Sequence, residues 1–430
     1  MAAIIVASMS PTISRPQHSH YRWTVCALLF FATTISYVDR QVLSMLAKTL
    51  ETNIGWTADQ YGSITSAFAV AYAIGLLGTG RLLDKFGTRV AFAIAVAVWS
   101  ASAMAHAAAT SALTFGIARV FLGFSEAANF PACIKTVAEW FPKRQRATAT
   151  GIFNSGANVG AIATILLVPW MAQKWGWQST FLATGSIGFI WVGLWLWIYK
   201  QPEVHRKVSV EELALIRSDP PDKMESVPWR RVLPKKETWA FALGKFCTDP
   251  IWWFFLFWLP KYLQDTYHLS LMDIRIPTLI VYNASTIGSV YGGWLSGSLI
   301  NRGWSINAAR KTAMLICAIC VLPVLYAPYA GNMWVVVGIL SLAMAAHQGW
   351  SANLFTTASD MFPRAAVGSV VGIGGAAGAA GNALMLKLAG LVVTWTGSYF
   401  ILFMISGSAY LVALGIFQLL SPRLEQAKLD

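Results

Sequence analysis

Eight ionisable residues lie inside long apolar stretches of this 430-residue chain. They are Asp39, Arg40, Arg119, Glu126, Lys135, Lys245, Asp249 and Lys387. A charge at bilayer depth costs roughly 2.5–3.5 kcal/mol on insertion scales, so such residues mark pathways for ions and polar solutes. A carboxylate can carry a proton, and the planar guanidinium of arginine can hold a carboxylate through two parallel hydrogen bonds. These residue types predict proton-coupled movement of an anionic solute.

The spacing of Arg119 and Glu126 places them on one face of a helix. They are seven residues apart, which is nearly two turns and about 10 Å along a helix axis. Asp39 reaches a similar depth on the first apolar stretch, so we expect it to pair with Arg119. The alternative for Asp39 and Glu126 is an interhelical ion pair with no part in transport.

The other charges at membrane depth have more than one interpretation. Lys135 is close to the end of its apolar stretch, so its long side chain can extend the ammonium group to the membrane surface. Lys245 and Asp249 are spaced i, i+4 and form either a structural pair or part of a site. The sequence assigns no role to Lys387.

Uncharged polar residues complete the candidate substrate-binding set. They are Tyr37, Tyr72, Tyr282, Asn283, His347, Gln348, Asn353 and Asn382. Each can hydrogen-bond a hydroxyl-rich substrate, or instead bond a neighbouring helix or pack in the core. The aromatic run from Trp252 to Trp258 could face either a sugar ring or the lipid.

The composition shows why these charges stand out. The chain is 56% hydrophobic and 12% charged, whereas about a quarter of the residues of soluble domains are charged. We therefore expect a multi-pass protein of the lipid bilayer. Its location in a bacterial inner (plasma) membrane is a separate hypothesis. The net charge of +13 is then loop charge that sets orientation, and it does not indicate nucleic-acid binding. The five cysteines have no zinc or redox spacing, and no nucleophile–base or metal cluster indicates an enzyme.

Apolar runs and the breaks between them predict an all-α membrane protein with twelve transmembrane helices. The helices are expected near residues 23–47, 57–80, 88–108, 112–137, 145–171, 178–199, 237–264, 272–300, 310–328, 332–359, 365–394 and 397–420. The predicted division is a tail (1–22), a six-helix half (23–199), a charged linker on the membrane surface (200–236), a second half (237–420) and a tail (421–430). Lys and Arg concentrate in the tails, the linker and the loops on the same side, which predicts that both termini are cytoplasmic.

The two halves repeat in sequence. Glu139-Trp-Phe-Pro142 recurs as Asp360-Met-Phe-Pro363, at an offset of 221 residues. Two six-helix halves repeated in parallel, with a substrate site between them near the bilayer midplane, are the architecture of the major facilitator superfamily.

The loop between the second and third predicted helices also resembles that superfamily. It reads Gly80-Arg-Leu-Leu-Asp84-Lys85-Phe-Gly87-Thr-Arg89 and is similar to the pattern G-x-L-x-D-R-x-G-x-R. Glycines permit a tight turn, and an acid between bases can latch neighbouring helix ends in one conformer. The alternative is an ordinary positively charged loop.

Three further stretches resemble the anion:cation symporter branch of the superfamily. Residues 37–40 are similar to its Y-x-D-R motif, and residues 119–131 are similar to its R-x-x-x-G-x-x-E-A-x-x-F-P signature. Residues 248–262 resemble the hexuronate transporters, which carry galacturonate and glucuronate. The resemblance to the branch covers the chain from residue 22 to about residue 420.

This resemblance implies proton symport of an organic monoanion, above all a hexuronate, by alternating access and without a cofactor. It implies two proton sites, Asp39 and Glu126, and two carboxylate partners, Arg40 and Arg119. Substrate contacts are implied for Tyr37, Tyr72 and Asn382. We expect a monomer. Uptake of another organic acid, such as galactonate, gluconate, tartrate or phthalate, is the main alternative, while an exporter of cationic drugs would favour an acid-rich cavity without the two arginines.

Overall fold

A computed structural model of the chain describes residues 19–219 and 227–427. Within those residues all the regular structure is helical, which confirms the all-α prediction. The predicted N-terminal tail lies outside the described residues up to position 18. Residues 220–226 of the predicted linker and 428–430 of the predicted C-terminal tail also lie outside them.

The described helices follow one another through short connections. They are α1 (Tyr21–Met45), α2 (Ala47–Ile54), α3 (Ala58–Ala105), α4 (Ala112–Glu126), α5 (Asn129–Trp140), α6 (Lys143–Ile198), α7 (Val210–Ile216), α8 (Trp229–Val232), α9 (Lys236–Tyr267), α10 (Arg275–Asn301), α11 (Ile306–Val321), α12 (Met333–Met361), α13 (Arg364–Thr396) and α14 (Phe400–Leu420). Short 3₁₀ helices occupy His106–Ala108, Pro202–Val204 and Leu322–Tyr329.

Two of the long helices change direction at a glycine. Gly87 in α3 has φ 74° and Gly176 in α6 has φ 83°, a left-handed conformation that residues with a side chain rarely adopt. Each of these helices therefore covers two of the predicted spans. Gly87 is also a glycine of the predicted latch loop, so the tight turn expected there is present.

The predicted helix 112–137 is interrupted in the middle. α4 ends at Glu126 and α5 begins at Asn129. Pro131 has no N–H group to bond the carbonyl of Ala127, so the helical pattern loses a hydrogen bond at this point. The interruption leaves Glu126, a candidate proton carrier, at the end of a helix.

Six helical stretches in the described part of the chain are long and apolar enough to cross a membrane by length and composition. They are Ala58–Ala108, Lys143–Ile198, Ile306–Tyr329, Met333–Met361, Ala365–Thr396 and Phe400–Leu420. The first two each contain a glycine turn that joins two predicted spans. The count of twelve spans stays a prediction.

The long helices form two groups. In the N-terminal group, α1 to α6, α1 packs on α6 and α3 packs on α4. In the C-terminal group, α9 to α14, α9 packs on α13 and α10 packs on α12. Helix axes come close at small residues: a Cβ at Gly123 would collide with the backbone of Phe68, and one at Gly292 would collide with the backbone of Gly349.

The two groups meet along α3 and α13 at the end of the bundle opposite the chain termini, which we call the distal end. The contact is backbone against backbone, because a Cβ at Gly62 would lie 2.8 Å from the Cα of Gly390. Nearby, the Tyr61 hydroxyl donates a hydrogen bond of 2.6 Å to the carbonyl of Phe257. Because the backbones of α3 and α13 are in direct contact here, this contact must be lost if the two groups separate at the distal end. We call it the distal joint.

Ion pairs also join the groups at the distal end. Lys48 lies 2.9 Å from the carboxylate of Asp265, and Lys261 bonds both Asp265 and Glu51. Lys261 is almost wholly buried, with 3% of its side chain exposed. Lys387, which the sequence left unassigned, bonds the carboxylate of Asp59 and the hydroxyl of Ser63. These pairs must break if the distal end opens.

The predicted linker is anchored to the N-terminal group by Glu212 of α7. This buried carboxylate accepts hydrogen bonds from the Ser19 hydroxyl, from the backbone N–H groups of Tyr21 and Arg22, and from the Arg22 guanidinium. Burial alone would raise the pKa of the Glu212 carboxyl, but these hydrogen bonds hold that pKa below its usual value. The linker therefore caps the start of α1 as well as joining the two groups.

We predict that Gly390→Ala separates the two groups at the distal end. A Cβ at position 390 would lie 2.7 Å from the carbonyl oxygen of Ala58 and 2.9 Å from the Cα of Gly62, which is closer than packed atoms allow. Electron–electron double resonance between spin labels at Asn53 and Ser398, in a background without native cysteines, should gain a longer distance component. Gly293→Ala is the control, because nothing lies within 4 Å of a Cβ there. An unchanged distance distribution in Gly390→Ala would contradict the role of this joint.

Candidate functional site

The centre of the candidate site is an ion pair between Arg40 of α1 and Glu126 at the end of α4. Arg40 donates from Nε at 3.1 Å and from Nη2 at 3.0 Å to the same oxygen, Oε2 of Glu126. Glu126 is fully buried and Arg40 is 5% exposed. Loss of either side chain would leave an uncompensated charge in a medium that solvates it poorly.

Four aromatic rings surround the guanidinium group of Arg40. Its Cζ atom lies 4.9 Å from the ring centroid of Tyr37, 5.0 Å from Tyr72, 5.2 Å from Phe68 and 5.7 Å from Trp253. Contacts of a cation with an aromatic face contribute roughly 0.5–2 kcal/mol each. Trp253 belongs to α9, so the two helix groups meet at this cation.

Arg119 of α4 lies next to the ion pair and has unused hydrogen-bond donors. It is fully buried, and its Nη1 donates to the carbonyl oxygen of Arg40 at 3.2 Å. Its Nε and Nη2 have no partner in the described part of the protein. These two N–H groups form one edge of the guanidinium fork, the geometry that holds a carboxylate through two parallel bonds.

The expected ion pair between Asp39 and Arg119 is not formed. Asp39 interacts electrostatically with Glu126 and Arg119 and lies close to the Thr184 side chain, but neither of its buried carboxylate oxygens forms a hydrogen bond of ordinary geometry with the described residues. Consecutive helix residues point about 100° apart, and the residue of α1 that points at the end of α4 is Arg40. Asp39 and Arg119 interact, as their similar expected depth indicates, but Arg119 bonds the carbonyl of Arg40 instead of the Asp39 carboxylate.

Two of the predicted binding residues on α10 bond to helix backbone. The Tyr282 hydroxyl donates to the carbonyls of Phe255 and Leu256, at 3.3 and 3.0 Å. Asn283 donates to the carbonyl of Leu279 at 2.8 Å and is exposed. Tyr282 therefore ties α10 to α9, while Asn283 keeps its amide oxygen available.

Two of the predicted residues of the C-terminal group, His347 and Asn353 of α12, bond to neighbouring helices. His347 and Tyr410 share a hydrogen bond of 2.6 Å, and the ring of Trp252 stacks on His347 with centroids 5.3 Å apart. Asn353 donates to the carbonyl of Gly292 at 2.8 Å, which links α12 to α10. His347 and Asn353 thus have helix partners, which is the interhelical alternative left open for such residues.

The remaining predicted residues are Tyr37, Gln348 and Asn382. Tyr37, Trp252 and Asn283 line a small cavity between α1, α6, α9 and α10. Gln348 is half-buried. Asn382 of α13 is buried, and its Oδ1 has no partner among the described residues.

Phe68 and Tyr61 were missing from the predicted set, whereas Trp253 belongs to the aromatic run that the sequence offered as a sugar-facing surface. Phe68 and Trp253 face Arg40, and Tyr61 bonds the backbone of α9. Charge and hydrogen-bonding capacity drove the prediction, so Phe68 carried no signal of its own. Its spacing of four residues before Tyr72 would have placed the two rings on one helix face.

The predicted latch bonds within the N-terminal group. The Asp84 carboxylate lies 2.6 Å from Lys135 Nζ and is 77% exposed, and Arg89 donates to the carbonyl of Leu196. The other latch residues are Gly80, with open space around it, Lys85, whose ammonium lies 5.3 Å from the Phe86 ring, and Gly87 at the turn. The bonds of Asp84 and Arg89 thus join elements of the N-terminal group to one another.

The chain is similar to known transporters of sugar acids. It is 28% identical over 406 residues to the D-galactonate transporter of Escherichia coli O6:H1, a match that covers 91% of this chain and 94% of that protein. It is 29% identical over 361 residues to the hexuronate transporter of Escherichia coli (strain K12), covering 82% and 83%.

Comparison with solved structures gives the same fold. A bacterial homologue of the human lysosomal transporter Spinster, in an inward-facing and unoccupied conformation, matches with a TM-score of 0.78 at 18% identity, over 94% of this chain and 98% of that chain. The sequence pattern of the Major Facilitator Superfamily matches residues 29–386. The protein is thus a transporter and not an enzyme, and the chain belongs to the Major Facilitator Superfamily.

Proposed function

We propose that this transporter imports an organic monoanion by proton symport, and that the monoanion is a hexuronate, galacturonate or glucuronate. The observation that carries the proposal is the buried Arg40–Glu126 pair beside the unused donor edge of Arg119. Two guanidinium groups can bind the carboxylate of the substrate. The Glu126 carboxylate, which competes with the substrate for Arg40, can take up the proton. The names of the similar transporters support a sugar acid as the substrate.

The mechanism is an exchange of partners at Arg40. In the empty site Glu126 neutralises Arg40. A substrate carboxylate that binds to Arg40 and Arg119 takes over that role, and Glu126 then costs less in its protonated, neutral form than as an unpaired buried anion. Substrate binding thus raises the proton affinity of Glu126. By linkage, protonation of Glu126 raises the affinity for substrate by the same factor. The proton and the anion therefore load together.

The membrane potential explains why more than one acid is useful. Moving one negative charge into a cell whose interior is negative costs about 2.3 kcal/mol per 100 mV. One accompanying proton cancels that cost, and a second makes the potential drive uptake. Asp39 and Glu126 are two acids at the depth where the substrate would bind, so both are proposed to carry protons.

We further propose that the structure represents an inward-facing state of a monomer in a bacterial inner membrane. If both termini are cytoplasmic, as the Lys and Arg distribution predicts, the joined distal end is the outer side of the membrane. The Gly62–Gly390 contact and the ion pair of Lys48 with Asp265 then close the external entrance.

Galactonate is the second candidate substrate. The similar D-galactonate transporter matches a larger share of this chain than the hexuronate transporter does, 91% against 82%. An aldonate carries the same carboxylate as a hexuronate but an open hydroxylated chain, so the arginine pair alone does not discriminate between them. The competition experiment below separates the two.

The proposed function is tested by uptake of labelled galacturonate into proteoliposomes that hold the purified protein. Glucuronate, galactonate, gluconate, tartrate and phthalate are added as competitors, with and without an imposed proton gradient. We expect gradient-driven accumulation that glucuronate inhibits more strongly than galactonate does. Stronger inhibition by galactonate would favour the aldonate, and accumulation that ignores the proton gradient would overturn symport.

Glu126→Gln is predicted to keep substrate exchange and lose accumulation driven by a proton gradient. Glutamine cannot carry the coupled proton, and its neutral amide releases Arg40 for the substrate. The measurement is counterflow compared with pH-driven uptake in the same proteoliposomes. Glu425→Gln is a matched control, because Glu425 is 75% exposed at the C-terminal tail. Normal pH-driven accumulation by Glu126→Gln would rule out Glu126 as the coupling acid.

Arg119→Lys is predicted to weaken substrate binding by about tenfold or more, the size of a lost charged hydrogen bond. The ammonium group can still bond the Arg40 carbonyl but cannot present two parallel N–H groups. The half-saturation concentration for uptake measures this change. Arg302→Lys, on the exposed Arg302, serves as the control. Equal half-saturation concentrations in Arg119→Lys and the unmodified protein would contradict the role of Arg119.

Asp39→Asn is predicted to make substrate affinity far less dependent on pH. The buried Asp39 carboxylate forms no hydrogen bond of ordinary geometry with the described residues, and its charge acts on Glu126 and Arg119. Protonation of Asp39 therefore changes the electrostatic attraction of the site for an anion. Substrate titrations of both proteins between about pH 5 and 8 measure this. Parallel pH dependences would show that Asp39 is a structural residue only.

A further inference from the structure

The C-terminal group contains its own buried ion pair, between Lys245 and Asp249 of α9. Lys245 Nζ lies 2.7 Å from Asp249 Oδ2, and the two side chains are 8% and 22% exposed. The ammonium group also lies 4.3 Å from the ring centroid of Phe355 on α12. Neither residue contributes to the Arg40–Glu126 site.

The pair lies on α9 between the central site and the terminal end of the bundle. Trp253 faces Arg40 at 5.7 Å and Tyr72 at 6.0 Å. Asp249 precedes Trp253 by four residues and Lys245 precedes Trp252 by seven, so each lies on the face of that tryptophan, about 6 and 10 Å nearer the start of α9. That start is at the same end of the bundle as the chain termini. Trp252 lines the small cavity between α1, α6, α9 and α10.

Helix α13 holds the pair in place from behind. A Cβ at Gly378 would collide with the Asp249 carboxylate, and a Cβ at Gly374 would collide with Phe241 and lie 3.2 Å from Cδ of Lys245. The two charged side chains therefore rest on glycines of α13, while a fifth of the Asp249 side chain remains accessible.

A purely structural role explains the pair poorly. A pair spaced i, i+4 stabilises a helix only slightly, whereas taking two ions out of water costs far more than such a pair returns. Arg40 and Glu126 form the same kind of pair at the central site, where the acid occupies the cation until a substrate replaces it. Lys245 and Asp249 have the chemistry for the same exchange of partners, nearer the terminal end of the bundle.

We propose that Lys245 is a second carboxylate-binding cation, which receives the substrate's carboxylate in place of Asp249 between the central arginines and the terminal end. This inference rests on the proposed function, because it needs an anionic sugar acid as the cargo. It gives Asp249 a defined part as the group that competes with the substrate for Lys245. It also gives the anion a cation on each side of the space between the groups.

Three variants test the proposal: Lys245→Gln, Asp249→Asn and the double variant. The double variant removes both charges, so its folding is not burdened by an unpaired buried ion. We expect Lys245→Gln and the double variant to weaken galacturonate binding by about tenfold, and Asp249→Asn to strengthen it. Binding is measured from the terminal side in inside-out proteoliposomes, with Lys174→Gln on an exposed outer lysine as the charge-matched control.

The pattern across the variants separates the proposal from its alternatives. If the pair is only structural, both single variants lose binding and the double variant recovers the unmodified affinity, which overturns the role of Lys245. The unmodified protein, titrated with galacturonate and galactonate, reports on the proposed function itself. Binding of neither acid overturns both proposals, whereas normal binding with a recovered double variant overturns only this one.

Discussion

A buried carboxylate needs a partner, and in the described structure Arg40 is the ion-pair partner of Glu126. The other features of the site follow from that constraint. Arg40 cannot serve a second carboxylate at full strength while it holds the first, so in the proposed mechanism an entering anion and Glu126 compete for it. Arg119 lies beside the pair, and two of its N–H groups have no hydrogen-bond partner among the described residues, so the same proposal lets an anion bind before Glu126 has left. The aromatic rings around Arg40 keep water away from the cation and strengthen this competition.

In the proposed mechanism, the contact between α3 and α13 at the distal end links events at the site to a change of access. Glycine contacts between α3 and α13 and the ion pairs of Lys261 and Lys387 hold the two helix groups together at one end. Trp253 of the C-terminal group contacts Arg40 of the N-terminal group. Substrate binding at Arg40 and separation of the two groups would therefore change the same contact. Distal opening has to break several ion pairs at once, which favours a two-state movement over gradual deformation.

Much of the fold follows from the sequence, because apolar length, charge distribution and Gly87 in its loop are local signals. The proximity of Asp39 to Arg119 followed from helix spacing in the same way. The choice of partner did not, since it depends on the rotation of α1 and on the break before Asn129, which brings the end of α4 to Arg40. Contacts between residues far apart in sequence could not be predicted either. Lys387 and Asp59 are an example, because no spacing rule connects them.

The central claim is that the substrate displaces Glu126 from Arg40 and that Glu126 then takes up a proton. The most direct test is proton uptake during substrate binding, recorded with an indicator dye in weakly buffered solution of the purified protein. The account predicts that galacturonate binding removes protons from the medium, and that Glu126→Gln takes up about one proton fewer per substrate bound. Binding without proton uptake, or equal uptake by the two proteins, would contradict it.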